Sequence, residues 1–239
     1  PMTRPEMRFV TVKTTAQQDI QALHRLRERC LADRPALCNQ LRGLLAEYGL
    51  ILPKGVNILR RHLPELLEDA ENGLSDLFRR LLAQSYQQLQ ALDSHIDHYT
   101  QEMKRQSQQD ETCRRLQTIP GYGPIVAGVF HSVVGHGEAY RRGRDVSAAL
   151  GLVPRQQSSG GKEVLLGISK RGDRYLRSLL VHGARSVVIR AAKKDDPLSR
   201  WINKVKAARG FNKAVVALAN KMARIGWAVV VNKTVYQIA

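Results

Sequence analysis

A chain of 239 residues with 43% hydrophobic content can hold one large domain or two modest ones and can bury a core. Three cysteines without CxxC spacing indicate neither a disulfide framework nor a zinc site, and the longest apolar run, Ile225–Val231, is too short to span a bilayer. The net charge of +17 points to a polyanionic partner.

The charge is unevenly placed. Residues 1–116 carry 17 Lys and Arg against 15 Asp and Glu, whereas residues 117–239 carry 21 against 6. The basic excess therefore lies in the second half. The cysteine usage fits a reducing cytoplasm. If Cys30 and Cys38 share a helix they stand about 12 Å apart and cannot bridge.

In chain order, residues 1–13 alternate weakly and predict a strand or an arm, and the Pro-rich start reads as part of something longer. From Thr15 a helical period takes over through Leu23, Leu26, Cys30, Leu37, Leu41, Leu44 and Tyr48; Pro35 should kink or split that helix, and Gly49 and Pro53 end it. Residues 53–63 read as a basic connector. A second helical region is expected from Pro64, broken at Asn72-Gly73, then running to Arg115. Inside it Phe78, Leu82, Ser85, Leu89, Leu92, Ile96, Tyr99 and Met103 keep a 4-3-4-3 spacing. This stripe predicts either a coiled coil between copies, making a homo-oligomer through residues 75–110, or a helical hairpin within one chain; the regularity favours the former.

After Arg115 the composition changes, which places a domain boundary at 115–118: residues 1–115 helical linker and coiled coil, residues 116–239 a compact basic domain. Ile119–Gly123 is a tight turn, Ile125–Val134 a helix, and Gly135-His-Gly137 a second loop. Asp145 can cap a short helix through Leu150; residues 154–162 read as loop and Glu163–Ile168 as a short strand. Lys170–Gly172 is a turn, Asp173 caps a helix reaching Lys193, Pro197 opens the next, which stops at Gly210, and Asn212 caps the last. The fold class is mainly α.

The Ile119-Pro-Gly-Tyr-Gly-Pro124 turn has the layout of a helix-hairpin-helix element, in which Gly121 and Gly123 would let backbone N–H groups meet a phosphate. Arg141, Arg142, Arg144, Arg155, Lys162, Lys170, Arg171, Arg174 and Arg177 are the candidate nucleic-acid contacts, several of them at a helix N-terminus. Ser158 and Ser159 offer hydroxyls beside Arg155 and Lys162; by spacing alone Ser-Ser-Gly-Gly is a flexible loop, since a nucleophile needs a base and cations to hold developing charge. His95, His98 and Glu102 have helical metal-ligand spacing but lie across the heptad stripe, so no metal site is assigned.

Ile119-Pro-Gly-x-Gly-Pro, Leu150-Gly-Leu-Val-Pro-Arg, Ser158-Ser-Gly-Gly-Lys, Ile168-Ser-Lys-Arg-Gly-Asp-x-Tyr-Leu-Arg177 and Asn212-Lys-Ala-x-x-Ala-x-Ala-Asn-Lys221 resemble the C-terminal half of DEDD-type insertion-sequence transposases. That group also holds pilin-gene invertases and bridge-RNA-guided recombinases. The resemblance implies DNA as partner, a guide RNA as a further one, and a serine nucleophile at Ser159, with Ser158 the fallback. It also implies an N-terminal RuvC-like domain with acidic metal ligands, which no stretch of this chain matches. No cofactor is expected in the chain itself, and Mg²⁺ only with that domain. The expected function is DNA transposition by strand exchange; the alternative is a non-catalytic nucleic-acid-binding remnant or regulator. A helix-hairpin-helix repair factor would explain the first turn but not the Ser-Ser-Gly-Gly stretch.

Overall fold

The computed structural model describes residues 12–237, with the backbone alone at Ser159 and Lys162. The expected arm over residues 1–13 lies almost wholly outside the described residues. The mainly helical class is observed. Among the described residues there are nine helices and one two-stranded sheet: α1 Thr15–Glu47, α2 Val56–Glu68, α3 Asp76–Gln109, α4 Glu111–Leu116, α5 Pro124–Val134, α6 Gly143–Ala149, β1 Pro154–Ser159, β2 Lys162–Ile168, α7 Arg174–Ala191, α8 Pro197–Arg209 and α9 Phe211–Asn232. They form two compact units, Ala22–Glu102 and the remainder.

In the first unit, Cys38, Leu41 and Leu45 of α1, Leu59 and Leu63 of α2, and Phe78, Leu82 and Leu89 of α3 make one core. The heptad stripe is thus used inside the chain. Phe78, Leu82, Leu89, Ile96 and Met103 are buried and Ser85, Leu92 and Tyr99 partly so, which is the hairpin alternative rather than a seam left open for a second copy. Pro35 does not split α1. Burial of Cys38, Leu41 and Leu45 just beyond it outweighs the lost hydrogen bond and ring clash, about 3 kcal/mol. The helix ends in a Schellman turn, with the Gly49 N–H on the Ala46 carbonyl, the Leu50 N–H on the Leu45 carbonyl and Gly49 at φ +78°.

The expected connector over 53–63 is largely helix. Arg60 and Arg61 masked the pattern, but Leu59 and Leu63, four apart, are fully buried, and Pro64 sits inside α2 instead of opening it. Arg79 closes this helix from α3, its guanidinium donating to the carbonyls of Leu67 (3.1 Å) and Asp69 (2.6 Å). Asp93 of α3 pairs with both Arg34 of α1 and Arg60 of α2.

The second unit is built on α9. Ala214, Ala219, Ala223 and Gly226 are buried among Val215, Leu218, Met222 and Val229, and α4, α5, α6, α7 and α8 all pack on this helix. By length and composition α9 as a whole could cross a bilayer, which the shorter apolar run within it did not suggest. Half of it is buried inside the protein, however, and it carries Lys213, Lys221 and Arg224, so it is read as a core helix. Its N-cap is Gly210; Asn212 stands one residue inside the helix rather than at the cap. Asp145 likewise sits in the first turn of α6, not at its cap, and its carboxylate accepts the Arg142 N–H at 3.2 Å. Asp173 caps α7 as expected, accepting from the Leu176 N–H at 2.9 Å.

The turn before α5 locks onto this core. Pro120 and Gly121 (φ +90°) occupy the centre of a type II turn closed by the Tyr122 N–H on the Ile119 carbonyl at 3.0 Å. Tyr122 inserts fully, its hydroxyl donating to the Met222 carbonyl at 3.2 Å over the gap left by Gly226. Burial pushes its phenol well above the ordinary value. Gly121 in turn meets Gly183 of α7 backbone to backbone: a Cβ on Gly121 would stand 2.9 Å from the Gly183 oxygen. Gly183→Ala should therefore destabilise the protein by about 1–3 kcal/mol in urea denaturation, although alanine favours a helix. A midpoint unchanged or raised would refute this contact.

At the head of α4, Asp110 accepts the Cys113 N–H at 3.1 Å and meets the Nδ1 of His131 at 2.6 Å. Burial opposes ionisation, but the hydrogen bond and charge of His131 and the backbone N–H groups outweigh it and hold the carboxyl at about 2, below its ordinary 3.8. A depressed folded pKa contributes stability above the unfolded value that is lost as pH falls through the folded one. Asp110→Asn, which keeps a capping oxygen, should lower stability at pH 6, and the difference from the unsubstituted protein should shrink between pH 4 and pH 2. A difference constant across that window would exclude the charge as its source.

Candidate nucleic-acid interface

The expected loop over 154–162 is a strand. Pro154–Ser159 pairs antiparallel with Lys162–Ile168, Ser159 opposite Lys162 and Ser158 opposite Glu163, with a bulge between Pro154 and Gln156. Only Gly160 (φ +58°) and Gly161 (φ +78°) turn, the two positive φ values of a type I′ hairpin. Sequence reasoning missed β1 because its residues do not alternate. They have no apolar face to bury, and Val164, Leu165 and Leu166 of β2 also stay exposed, so backbone hydrogen bonds rather than side-chain packing define the hairpin. At its base the ladder continues from Ser169 to Val153 (2.8 Å) and from Lys170 to Gly151 (3.1 Å).

This base forms one wall of a groove of about 1330 Å³. Leu152, Pro154, Leu165 and Ile168 line that wall; α9 supplies the floor with Val216, Ala217, Asn220 and Ala228; Trp201 of α8 and Trp227 of α9 complete it. Arg142 and Arg144 at the start of α6 and Lys213, Lys221 and Arg224 from α9 add five cations, and among the described residues no carboxylate lines it. Lys213 to Arg224 spans about 16 Å along the helix axis. Asn220 ties floor to wall by donating to the Leu152 carbonyl at 3.1 Å, and Trp227 is held by its Nε1–H on the Gly137 carbonyl at 3.1 Å. The Lys221 ammonium lies over the Trp201 ring, 4.7 Å from its centroid.

Of the sequence candidates, Arg142 and Arg144 fall in this groove. Arg155 is exposed at the hairpin bulge and Arg141 is exposed before α6. Lys170, Arg171 and Arg174 are exposed at the start of α7 outside the groove lining, Lys170 at φ +56°. Arg177 is engaged within the fold, donating to the carbonyls of Leu150 (3.0 Å) and Arg171 (2.9 Å). Gly121 faces Gly183, while Gly123 is exposed with open space about it. The side chains of Ser159 and Lys162 lie outside what is described. The Ser158 hydroxyl accepts from the Gln156 amide at 2.9 Å, and Glu163 stands across the ladder from it. Lys213, Lys221, Arg224 and both tryptophans escaped the sequence reading. The signal for the lysines was present in Asn212-Lys213 and Asn220-Lys221, two Asn-Lys pairs eight apart on an otherwise apolar helix.

His95 and His98 flank Tyr99 in ring contacts. Among the described residues, ligand atoms of the metal-binding type converge instead at Asp110, Cys113 and His131, within 4.8 Å of one another. There the carboxylate already caps α4 and pairs with His131, and burial pushes the Cys113 thiol up to about 12.

The model of the transposase IS116/IS110/IS902 family matches residues 113–199. The chain is 44% identical over 234 residues to the transposase for insertion sequence element IS1111A of Coxiella burnetii, covering 98% of this chain and 64% of that protein. It is 42% identical to a probable family 20 transposase of Pseudomonas aeruginosa (98% and 70% covered). Identity to the transposase for insertion sequence element IS1328 of Yersinia enterocolitica is 40% (98% and 69%). The chain thus spans about two thirds of the length of these relatives, and across nearly its whole extent it belongs to the IS116/IS110/IS902 family of transposases.

Proposed function

We propose that this chain is the nucleic-acid-binding, strand-exchange portion of a DNA transposase. The observation that carries the reading is the groove: five cations and, among the described residues, no carboxylate, walled by the base of the hairpin that bears Ser158 and Ser159. Three of the six acids in residues 117–239, Asp145, Asp173 and Asp196, hold helix N-termini, so the cations around them are left to face a polyanion. DNA is the proposed partner, with a guide RNA as a second.

In the proposed reaction the hydroxyl oxygen of Ser159 attacks a DNA phosphodiester. A serine O–P bond forms, a deoxyribose C–O–P link breaks at phosphorus, the serine proton passes to a base and the departing sugar oxygen takes up a proton. Ser158 is the alternative, favoured by one observation: Glu163 lies directly across the ladder from it and could accept the proton. Arg155, exposed on the same strand, is the proposed source of positive charge for the phosphorane oxygens. The six carboxylates of residues 117–239 do not fit a magnesium pair: three are committed to helix starts, Asp195 faces Arg200, Glu163 stands on the hairpin, and Glu138 is exposed before α6. We assign metal binding to an acidic, RuvC-like domain within the remaining third of the relatives' length.

Binding of the 239-residue chain to DNA should weaken with salt at a slope of log K against log salt of roughly −5 or steeper. Lys213→Glu and Arg224→Glu should each lower the steepness by about one or more. Salt-independent binding, or slopes untouched by both changes, would remove the groove from the reading. Given the acidic domain, the chain should form a covalent protein–DNA adduct that Ser159→Ala abolishes while binding persists. An adduct that survives Ser159→Ala and vanishes in Ser158→Ala would transfer the nucleophile to Ser158.

A further inference from the structure

We infer that the groove receives unpaired nucleotides, with Trp201 and Trp227 as stacking platforms for bases extruded from, or never part of, a duplex. This rests on the reading of the groove as a nucleic-acid site and makes it more specific.

The division of chemistry within the groove carries the inference. Cations alone would suffice for a duplex, whose accessible surface is phosphate and sugar with base edges recessed in the grooves. Here five cations accompany a broad apolar lining that includes Leu152, Ile168, Val216, Ala217 and Ile225. A paired helix can set only sugar edges and thymine methyls against that lining, because its apolar base faces are stacked on one another. An unpaired strand does: each base offers a π face, and proteins that hold such strands combine a basic track with aromatic platforms.

The aromatic placement is specific. The chain has only two tryptophans, and both line this groove. Each is partly buried, so an edge or face remains accessible. Trp227 is fixed by its hydrogen bond to the Gly137 carbonyl, and Trp201 already carries the Lys221 ammonium on its ring. A base stacking on that face would take the place of the Lys221 ammonium and leave it to a neighbouring phosphate. Lys213, Lys221 and Arg224 cover about 16 Å of α9, long enough to meet more than one phosphate of a strand lying along it. The groove, at about 1330 Å³, exceeds the 300–1,000 Å³ of an ordinary small-ligand pocket and has room for several nucleotides.

Because both tryptophans are in the groove, the intrinsic fluorescence of the unlabelled chain reports its occupancy. The chain is titrated at fixed salt with a 12-nucleotide mixed-sequence single strand, with the fully paired 12-base-pair duplex, and with an acidic amphipathic peptide of similar charge. The single strand should quench tryptophan emission and bind at least tenfold more tightly than the duplex. Trp201→Ala should weaken the single strand by about tenfold and leave the duplex within twofold. Trp227→Phe, which keeps an aromatic ring where alanine could disturb folding, should reduce the quenching amplitude. Equal binding of strand and duplex without a change in emission, both weakened by Lys213→Glu, would overturn the inference and leave the groove as a phosphate-binding surface. Quenching by the peptide alone, with no nucleic acid bound, would overturn both the inference and the reading beneath it.

Discussion

The second unit depends on how closely its elements can approach α9. Ala214, Ala219, Ala223 and Gly226 put almost no side-chain bulk between that helix axis and its neighbours. Phe130 and Tyr122 fit against Gly226, where a single added methyl would fall 2.5 Å from the Tyr122 hydroxyl. Gly143 of α6 also lies close to the Arg224 backbone, a Cβ there standing 2.9 Å from its carbonyl oxygen. The buried face of α9 thereby fixes α5, α6 and the turn between α4 and α5, and its opposite face is free to carry cations.

The groove follows from that division. A helix packed on several sides by small residues can present Lys213, Lys221 and Arg224 on the remainder without burying them. The hairpin stands beside them because its base pairs on through Val153 and Gly151, at the end of α6. The glycines of this region serve the protein first: Gly121 admits α7, and a Cβ on Gly151 would strike the Arg171 backbone. Close approach of backbone to backbone is what these two positions require.

The distribution of acids completes the electrostatics. Asp110, Asp173 and Asp196 accept from the first-turn N–H groups of α4, α7 and α8, and Asp145 closes the start of α6. A carboxylate held at a helix start offsets that helix's own positive end. Few acids are then left in the second half to neutralise the basic side chains, which is how a balance of 21 cations against 6 acids becomes a cationic groove.

Helix positions that obey local chemistry were legible in the sequence: the 4-3-4-3 stripe of α3, Asp173 at the start of α7, Pro197 at that of α8, and the Gly49 and Gly210 stops. The family was legible too, in glycine- and lysine-bearing motifs spread over 119–221. Where packing overrode local preference the reading went astray. α1 passes through Pro35, α2 begins before Pro64, and β1 forms without an apolar pattern because only its backbone is engaged. Which charged residues share a surface was settled by the fold alone. Arg142, Lys213 and Arg224 are up to 82 positions apart, and nothing in one dimension separates cations on a common groove from Arg177, whose guanidinium is engaged by carbonyls. Composition determined that the basic excess lies in the second half; the tertiary structure decided which of those cations share a surface, because α9 buries one face and leaves the other to them.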